Sequence, residues 1–486
     1  MVFAVSALTT DFYELTMMQG YFKENKKEVV VFDAFYRTNP SNGGYAIACG
    51  LDQIIDYIKN LKFSYDDVDY LRSLNIFDED FLQYLSSYTF TGDIYAIPEG
   101  TVMFPREPMV KVVAPIMEAQ LVETAILNIL NHQSLIATKA SRVCYAAQGD
   151  TIMEFGLRRA QGPDAGTYGA RAAVIGGCKG TSNVLTGQMF GVPVLGTHAH
   201  SWIMSFKDEY TAFKTYADLY PKAAILLVDT YDTLNSGVPN AIRVFKEMRE
   251  AGQEMPFYGI RLDSGDLAYL SKKARKMLDD AGFTDAVISA SNDLDEYLID
   301  SLKTQGCKVS SWGVGTHLIT SNDWPSFGGV YKLAGIRDEA TGEFIPKIKV
   351  SENTEKITNP GNKTVFRIYD KETGKITADL IALAHEKFDN KNSLLLFDPV
   401  ETWKKTMLEP ESYEIREILV PVFKNGVCVY DSPSVSEIKE YCQKELNTLW
   451  DETRRLVNPH KVHVDLSNEL YHVKKQLLDN YHSTGR

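Results

Sequence analysis

The chain has 486 residues, of which 44% are hydrophobic and 24% are charged, a composition typical of a folded globular protein that excludes global disorder. At roughly 100–200 residues per domain, this length predicts two to four domains, or one large barrel with additions. The formal net charge of −13 excludes a protein that binds nucleic acid through a broad basic surface, although a few arginines in a cleft can still bind a small anion.

The cysteines and the apolar runs indicate the cellular compartment. Six widely spaced cysteines without a CxxC pair predict a reduced, cytoplasmic protein with neither a cysteine zinc site nor a disulfide framework. No basic residue precedes the apolar N-terminal residues, so we expect no signal peptide. The longest wholly apolar runs, such as residues 223–228, are far shorter than the roughly 20 residues that span a bilayer. We therefore expect neither a nucleic-acid partner nor a membrane.

The first segment, residues 1–140, mixes helical patterns with strands and turns, and we interpret it as an α+β domain. Residues 39–44, Asn-Pro-Ser-Asn-Gly-Gly, predict a turn between the apolar runs 29–36 and 45–51. The acidic residues between positions 66 and 80 are typical of exposed helix surfaces.

From about residue 150 to residue 335, short apolar runs alternate with amphipathic helical patterns, which predicts parallel β/α units. Helical spacing predicts one helix from Val238 to Ala251 and a second from Leu267 to Ala281, with Ser264 as the N-cap of the second. This segment contains neither a GxGxxG nor a GxxxxGK[ST] motif, so no such motif favours an open nucleotide-binding sheet. The predicted strands are 151–155, 192–196, 224–228, 257–262, 286–289 and 309–314.

Polar residues follow these apolar runs one after another. Because the carboxyl ends of the strands of a β/α barrel meet at the face where active sites form, this placement favours a barrel. We therefore predict an α/β protein with a β/α barrel over residues 141–335 and an accessory domain over 336–486, which ends in a helix. The polar groups are Glu154 and Arg158, Thr197 and His200, Asp229, Arg261 and Asp263, Ser291 and Asn292, and residues 313–316.

Two strand ends have residues suited to phosphate. Residues 261–266, Arg-Leu-Asp-Ser-Gly-Asp, precede a helix N-terminus that favours an anion, and their carboxylates suit hydroxyl groups or a Mg²⁺ that bridges to phosphate oxygens. In residues 313–316, Gly-Val-Gly-Thr, the backbone N–H groups and the Thr316 hydroxyl can cradle a phosphate. Helix capping or a tight turn explains either segment equally well when it is taken alone.

Two other strand ends suit an aromatic acid and a nucleophile. Phe155 with Arg158 and Arg159 offers a flat apolar face and guanidinium groups for a ring that carries an anionic substituent, although an exposed arginine pair is the alternative. Residues 196–202, Gly-Thr-His-Ala-His-Ser-Trp, place histidines at the barrel mouth, where a neutral imidazole can act as a nucleophile, although most single histidines are structural. The residues alone thus predict a barrel enzyme that acts on an anionic, phosphorylated substrate.

With these segments identified, the chain resembles the nicotinate phosphoribosyltransferases, which are type II phosphoribosyltransferases. The resemblance covers nearly the whole chain, more loosely beyond about residue 400. It implies an irregular β/α barrel between an N-terminal sheet domain and a C-terminal domain, and a cytoplasmic homodimer with shared active sites. It rests on six motifs in family order: TDFYELTM at 10–17, FYRTNP at 35–40, EFGLRRAQGP at 154–163, GTHAHSW at 196–202, RLDSGDL at 261–267 and GVGTHLIT at 313–320.

The resemblance also implies a reaction of NAD biosynthesis. Nicotinate, phosphoribosyl pyrophosphate, ATP and water give nicotinate mononucleotide, pyrophosphate, ADP and phosphate. Because the pyridine nitrogen attacks with its own lone pair, no general base is required. The protein and Mg²⁺ have to stabilise the positive charge on the ribosyl group and the negative charge of the leaving pyrophosphate.

Residue roles follow from the same resemblance. His200 corresponds to the histidine that ATP phosphorylates, His198 is structural, and Arg261 and Asp263 are catalytic, with Asp263 facing the ribose or Mg²⁺. The pyridine lies between Phe155 and Tyr13, the latter supplied by the other subunit. The set for nicotinate is Tyr13, Phe155, Ser182, Thr197 and Arg261, and the set for phosphoribosyl pyrophosphate is Arg37, Arg158, Ser264, Gly313, Gly315 and Thr316.

Two alternative functions stay open. The first is the same chemistry on nicotinamide, whose users have an aspartate after the Lys-Gly-Thr segment; here that position is Ser182, which favours nicotinate because a hydroxyl can donate to a carboxylate. The second is a non-catalytic ligand sensor on the same fold. Intact Arg261, Asp263 and His200 argue against a sensor, and quinolinate phosphoribosyltransferases are shorter chains with no use for residues 196–202.

Overall fold

The computed structural model describes residues 5–353 and 356–483. The chain divides into two compact units, one made of residues 1–135 and 326–486 and the other of residues 136–325. No helix in the described residues is long and apolar enough to cross a membrane.

A seven-stranded sheet is the main layer of the first unit. An inner strand of this sheet, Val29–Phe35, is buried along most of its length, and its neighbours Val110–Pro115 and Val330–Arg337 both run antiparallel to it. Strands from both ends of the chain therefore share one sheet, and the three-domain division at residues 140 and 335 stays a prediction. In sheet order the strands are Phe344–Pro346, Val330–Arg337, Val29–Phe35, Val110–Pro115, Asp93–Ala96, Val420–Lys424 and Val427–Cys428.

The rest of the first unit consists of smaller sheets and helices. A four-stranded sheet has the order Tyr413–Glu417, Lys363–Asp370, Ile376–Leu383 and His463–Leu466. Two antiparallel pairs join Ala46–Ile47 to Val102–Met103 and Leu394–Phe397 to Lys405–Leu408. The turn predicted at residues 39–44 contains the short 3-10 helix Pro40–Asn42. Most acidic residues between positions 66 and 80 are exposed, as predicted, and a helix ends the described chain. The helices are Phe12–Lys23, Leu51–Asn60, Tyr65–Ser73, Glu79–Ser86, Ile116–Leu121, Val435–Asn447, Asp451–Arg454 and Asn468–Ser483, and Glu123–Ala146 runs across residue 135.

A curled parallel sheet of six strands forms the core of the second unit, which confirms the predicted α/β barrel as an incomplete one. The strands are short and mostly buried, as expected for parallel β/α units whose sheet is covered by helices. In sheet order they are Gly180–Thr181, Thr151–Glu154, Ser311–Val314, Val287–Ala290, Tyr258–Leu262 and Ala224–Leu227. The helices are Pro163–Ile175, Val184–Phe190, His200–Met204, Glu209–Leu219, Val238–Glu250, Leu267–Asp280, Glu296–Thr304 and Thr316–Ile319.

Two predictions about this unit were wrong. Residues 192–196 do not form a strand, because only Val194 pairs with the sheet, in a single bridge to Thr181. The N-cap of the helix Leu267–Asp280 is Asp266 rather than Ser264, since the Asp266 carboxylate accepts from the N–H of Tyr269. The Ser264 hydroxyl donates to Asp229 instead.

A buried charged cluster stabilises the four-stranded sheet of the first unit. The guanidinium of Arg367 is fully buried and donates to Asp379, at 2.6 Å, and to Glu445, at 3.1 Å. Fully buried Glu107 faces the same cluster, and burial together with the Asp379 carboxylate raises the pKa of Glu107 well above its usual range. Burial and the neighbouring Asp379 carboxylate therefore both favour the neutral, protonated form of Glu107.

We expect Glu107→Gln to change the free energy of unfolding by less than about 1 kcal/mol at neutral pH, because one neutral group replaces another. Asp379→Asn should cost about 3–5 kcal/mol, since it removes a charge that pairs with buried Arg367. The native state keeps a proton on Glu107 that the unfolded chain releases, so its contribution to stability falls as pH rises above the unfolded pKa. Urea denaturation at several pH values should show that the free energy of unfolding falls less with rising pH in Glu107→Gln than in the unmodified protein. Equal losses of this free energy in Glu107→Gln and Asp379→Asn at neutral pH would contradict a neutral Glu107.

Candidate active site

The carboxyl ends of the parallel strands surround two adjoining cavities in the second unit. Their volumes are about 410 Å³ and about 170 Å³. Four residues line both cavities and so mark their junction: Phe155, Arg158, Arg261 and Asp263. The larger cavity adds Ser182, Gly196, Thr197, His198, Ala199, His200 and Leu227, and the smaller adds Arg159, Ser291, Asn292, Asp293, Gly313, Gly315 and Thr316.

Arg261 is held by acceptors from several parts of the barrel mouth. Its Nε donates to Ser291 Oγ at 2.8 Å, and its Nη1 donates to Thr197 Oγ1 at 2.8 Å and to the carbonyl oxygen of His198 at 3.3 Å. Its Nη2 donates to Asp263 Oδ1 at 2.8 Å. Only 15% of the side chain is exposed. The guanidinium plane is therefore fixed between the two cavities, with its charge available to both.

Asp263 is ionised at neutral pH. Burial acts to raise its pKa, but the hydroxyl of Ser291, the guanidinium of Arg261 and the His200 ring together outweigh burial and lower it. Its main-chain N–H donates to Asp229 Oδ2 at 2.8 Å, which fixes the backbone at the end of the strand. The mouth thus presents a fixed carboxylate next to a fixed guanidinium.

His200 has one oriented ring nitrogen and one that faces the cavity. Its Nδ1 lies 3.0 Å from Thr230 Oγ1, and its Nε2 lies 3.6 Å from Asp263 Oδ2. The side chain is 39% exposed, so a ligand in the larger cavity can reach it. This arrangement suits a nucleophilic imidazole, because the contact of Nδ1 with Thr230 orients the ring and leaves Nε2 as the nucleophilic atom.

His198 contacts the last strand of the incomplete barrel. Its ring is buried, and Nε2 accepts from the N–H of Leu227 at 3.3 Å. Burial is the largest cause that lowers the pKa of His198 to about 4, and the charges of Arg261 and His200 lower it further. The ring is therefore neutral, and it joins the last strand of the sheet to the segment that follows Val194.

The ring of Phe155 fills the space left by a glycine. The Phe155 N–H donates to the carbonyl oxygen of Val314 at 2.8 Å, so the chain passes directly beside the neighbouring strand. A Cβ atom on Gly313 would lie 2.6 Å from the ring. The glycine at this position thus lets the aromatic face lie at the junction of the cavities.

The structure brings most of the predicted site residues together. Phe155, Ser182, Thr197, His200, Arg261 and Asp263 line the larger cavity, and Arg158, Gly313, Gly315 and Thr316 line the smaller one. Ser264 is exposed and donates to Asp229. Tyr13 and Arg37 belong to the first unit, where Tyr13 is half exposed and Arg37 lines a different cavity of about 500 Å³.

The sequence prediction gave no role to three residues that line the smaller cavity: Ser291, Asn292 and Asp293. They follow the strand Val287–Ala290 just as Asp263 follows Tyr258–Leu262. Their position after a strand was the feature of the sequence that could identify them as site residues. Asn292 also has a left-handed backbone, with φ of 97°, which is uncommon for a residue other than glycine.

A metal ion at this mouth would need ligands from a substrate. Within residues 5–353 and 356–483, no cluster of three or more His, Cys, Asp or Glu side chains could hold a metal ion. Asp263 and Asp293 both line the smaller cavity. Because Mg²⁺ is commonly bound by one or two carboxylates together with phosphate oxygens, these residues fit a Mg²⁺ that arrives with a phosphorylated substrate.

Comparison with known proteins identifies the family. Three family models match successive parts of the chain: the nicotinate phosphoribosyltransferase N-terminal domain at residues 8–131, the nicotinate phosphoribosyltransferase family at 151–369 and its C-terminal domain at 362–474. A nicotinate phosphoribosyltransferase of Bacillus subtilis is 46% identical over 97% of this chain and 95% of its own length. The chain belongs to the nicotinate phosphoribosyltransferase family.

Other family members support the same assignment. A nicotinate phosphoribosyltransferase of Mycobacterium tuberculosis is 38% identical over 93% of this chain and 89% of its own length. The crystal structure of human nicotinic acid phosphoribosyltransferase superposes with a TM-score of 0.84 at 29% identity, over 96% of this chain and 99% of the human chain. This chain and the human protein therefore share one fold.

Gly313→Ala should disturb the larger cavity, because the added methyl group would lie 2.6 Å from the Phe155 ring and has to displace it. We expect the KM for the aromatic substrate of this family to rise at least about tenfold, with little loss of thermal stability. Gly196→Ala is the matched control, since Gly196 lines the same mouth and its Cβ would meet no atom within 4 Å. Equal kinetics in the two variants would show that the ring position does not matter.

Proposed function

We propose that the protein transfers the phosphoribosyl group of phosphoribosyl pyrophosphate to nicotinate, with coupled hydrolysis of ATP, in cytoplasmic NAD salvage. The observation that carries the proposal is the pair of cavities that meet at Arg261 and Asp263, one with an aromatic face and the other with glycines and arginines. The relatives named nicotinate phosphoribosyltransferase support the same activity.

The larger cavity suits nicotinate. The pyridine ring stacks on Phe155, and its carboxylate accepts hydrogen bonds from the hydroxyl of Ser182 and from Arg261. Thr197 contributes indirectly as well, because its hydroxyl accepts from Arg261 Nη1 and so holds the guanidinium in the orientation that binds the carboxylate. This geometry aims the ring nitrogen at the junction of the cavities.

The smaller cavity suits the phosphates of phosphoribosyl pyrophosphate. Arg158, the N–H groups of residues 313–316 and the Thr316 hydroxyl bind phosphate oxygens, and Asp263 faces the ribose. As the pyridine nitrogen attacks, positive charge develops on the ribose, where the fixed carboxylate of Asp263 stabilises it. When bound with the substrate, Mg²⁺ neutralises charge on the leaving pyrophosphate.

We assign ATP coupling to His200. The proposed step transfers the γ-phosphoryl group of ATP to Nε2 of His200, which forms an N–P bond and releases ADP. Water later hydrolyses the phosphohistidine to phosphate and free His200. A phosphoryl group here adds negative charge and hydrogen-bond acceptors at the barrel mouth, which orders the residues around phosphoribosyl pyrophosphate.

Incubation with nicotinate, phosphoribosyl pyrophosphate and Mg²⁺, with and without ATP, tests this function. The unmodified protein should form nicotinate mononucleotide and should do so faster with ATP. We expect His200→Ala to lose both the labelling by γ-³²P-ATP and the stimulation by ATP, while a slow ATP-independent reaction persists. Full ATP stimulation in His200→Ala would contradict the assignment, and no product from the unmodified protein would contradict the function.

Ser182→Asp should damage the use of nicotinate more than the use of nicotinamide. A carboxylate at this position would repel nicotinate, whereas it can accept from the amide of nicotinamide. We expect kcat/KM for nicotinate to fall at least about 100-fold and kcat/KM for nicotinamide to change far less. Ser182→Ala, which removes the donor without adding charge, is the control and should have a smaller effect. Equal use of both pyridines by the unmodified enzyme would show that Ser182 does not discriminate.

We also propose a homodimer in which Tyr13 and Arg37 of one subunit complete the site of the other. Mixing the variants Tyr13→Ala and Arg261→Ala tests this proposal, because each substitution damages a different half of the composite site. Each variant alone should be nearly inactive, whereas subunit exchange should restore about a quarter of the activity, since half of the dimers are mixed and each has one intact site. No recovery in mixed dimers, verified by two affinity tags, would exclude shared sites.

A further inference from the structure

A buried carboxyl group lies next to the residues that form the nicotinate cavity. Glu154 ends the strand Thr151–Glu154 and is fully buried. One of its oxygens accepts from the N–H of Gly156, and the other accepts from Thr181 Oγ1 at 2.5 Å. Burial raises the pKa of Glu154 and these two bonds lower it, without a contribution from any basic side chain.

The two donors are the chain neighbours of cavity residues. Gly156 follows Phe155, which provides the aromatic face, and Thr181 precedes Ser182, which also lines the larger cavity. The main chain reinforces the link, because the N–H of Ser182 donates to the carbonyl oxygen of Glu154 at 2.9 Å. Glu154 therefore links the chain segment that contains Phe155 to the segment that contains Ser182.

The local packing leaves little freedom for this contact. A Cβ on Gly156 would lie 2.7 Å from the Glu154 carboxyl group, so the loop fits closely over it. The Thr181 oxygen accepts from the N–H of Asn183 at 2.9 Å, which leaves the hydroxyl proton of Thr181 for Glu154. A shorter or apolar side chain would leave both buried donors without a partner.

We propose that Glu154 is a positioning residue that sets the separation between Phe155 and Ser182 and thereby the selectivity for nicotinate over nicotinamide. This inference rests on the proposed function. Glu154 acts through its two neighbours, so its loss changes the fit of the pyridine rather than the binding of the phosphates, which contact the smaller cavity.

Steady-state kinetics with nicotinate, nicotinamide and phosphoribosyl pyrophosphate test the inference. Glu154→Ala should raise the KM for nicotinate at least about tenfold and lower the nicotinate-to-nicotinamide ratio of kcat/KM by a similar factor. The KM for phosphoribosyl pyrophosphate should change less than about threefold. Glu154→Gln should recover much of the nicotinate KM, because its amide oxygen keeps one of the two bonds and its volume fills the same space.

Glu209 offers a matched control in the same unit. Its side chain is also buried, and it accepts from Ser236 Oγ at 2.6 Å and from Asn240 Nδ2 at 3.0 Å. We expect Glu209→Ala to lower thermal stability without changing the nicotinate-to-nicotinamide ratio. A purely structural role for Glu154 would instead give the same pattern in both variants.

Variants of Thr181 keep the test decisive if Glu154→Ala does not fold. Thr181→Val removes the hydroxyl with little change in shape, and Thr181→Ser retains it, so only the first should lower the selectivity ratio. An unchanged ratio in folded Thr181→Val or Glu154→Ala would overturn the positioning role while the unmodified enzyme still makes nicotinate mononucleotide. Absence of that product from the unmodified enzyme would instead overturn the proposed function.

Discussion

The guanidinium of Arg261 is the group on which the active-site geometry depends. It is largely buried, and burial of an unpaired charge would cost several kcal/mol. Its hydrogen bonds to Asp263, Ser291, Thr197 and the carbonyl of His198 offset that cost and consume most of its donors. Because these acceptors come from the ends of two strands and from the irregular segment that contains Thr197 and His198, the side chain holds all three parts of the mouth in place. The two cavities consequently meet at a defined pair of opposite charges.

An incomplete barrel gives this site its shape. Main-chain pairing runs from Gly180–Thr181 to Ala224–Leu227, and beyond these edges the segment around residues 194–200 is attached by one bridge and by the ring of His198. A segment outside the regular ladder is free to turn its hydroxyl and imidazole groups toward the cavity. The larger cavity and His200 therefore lie where regular sheet pairing stops.

Pattern and composition correctly predicted the parallel β/α units, because buried parallel strands are continuous apolar runs and their covering helices keep a 3.6-residue period. The same reasoning failed at residues 192–196, where an apolar run is not a strand. Pro193 has no N–H to donate, and the pairing there is limited to bonds with Thr181. The two-residue strand Gly180–Thr181 is too short to leave any pattern.

The sequence by itself determined the residue types at the strand ends, the six family motifs and the serine at position 182, since these depend only on chain order. The tertiary structure decided which of those groups touch. Glu154 meets Thr181 at a separation of 27 residues because their strands pair in the sheet, and Arg261 meets Thr197 at a separation of 64. Hydrogen bonds between such distant residues follow from sheet register and burial, which no local pattern encodes.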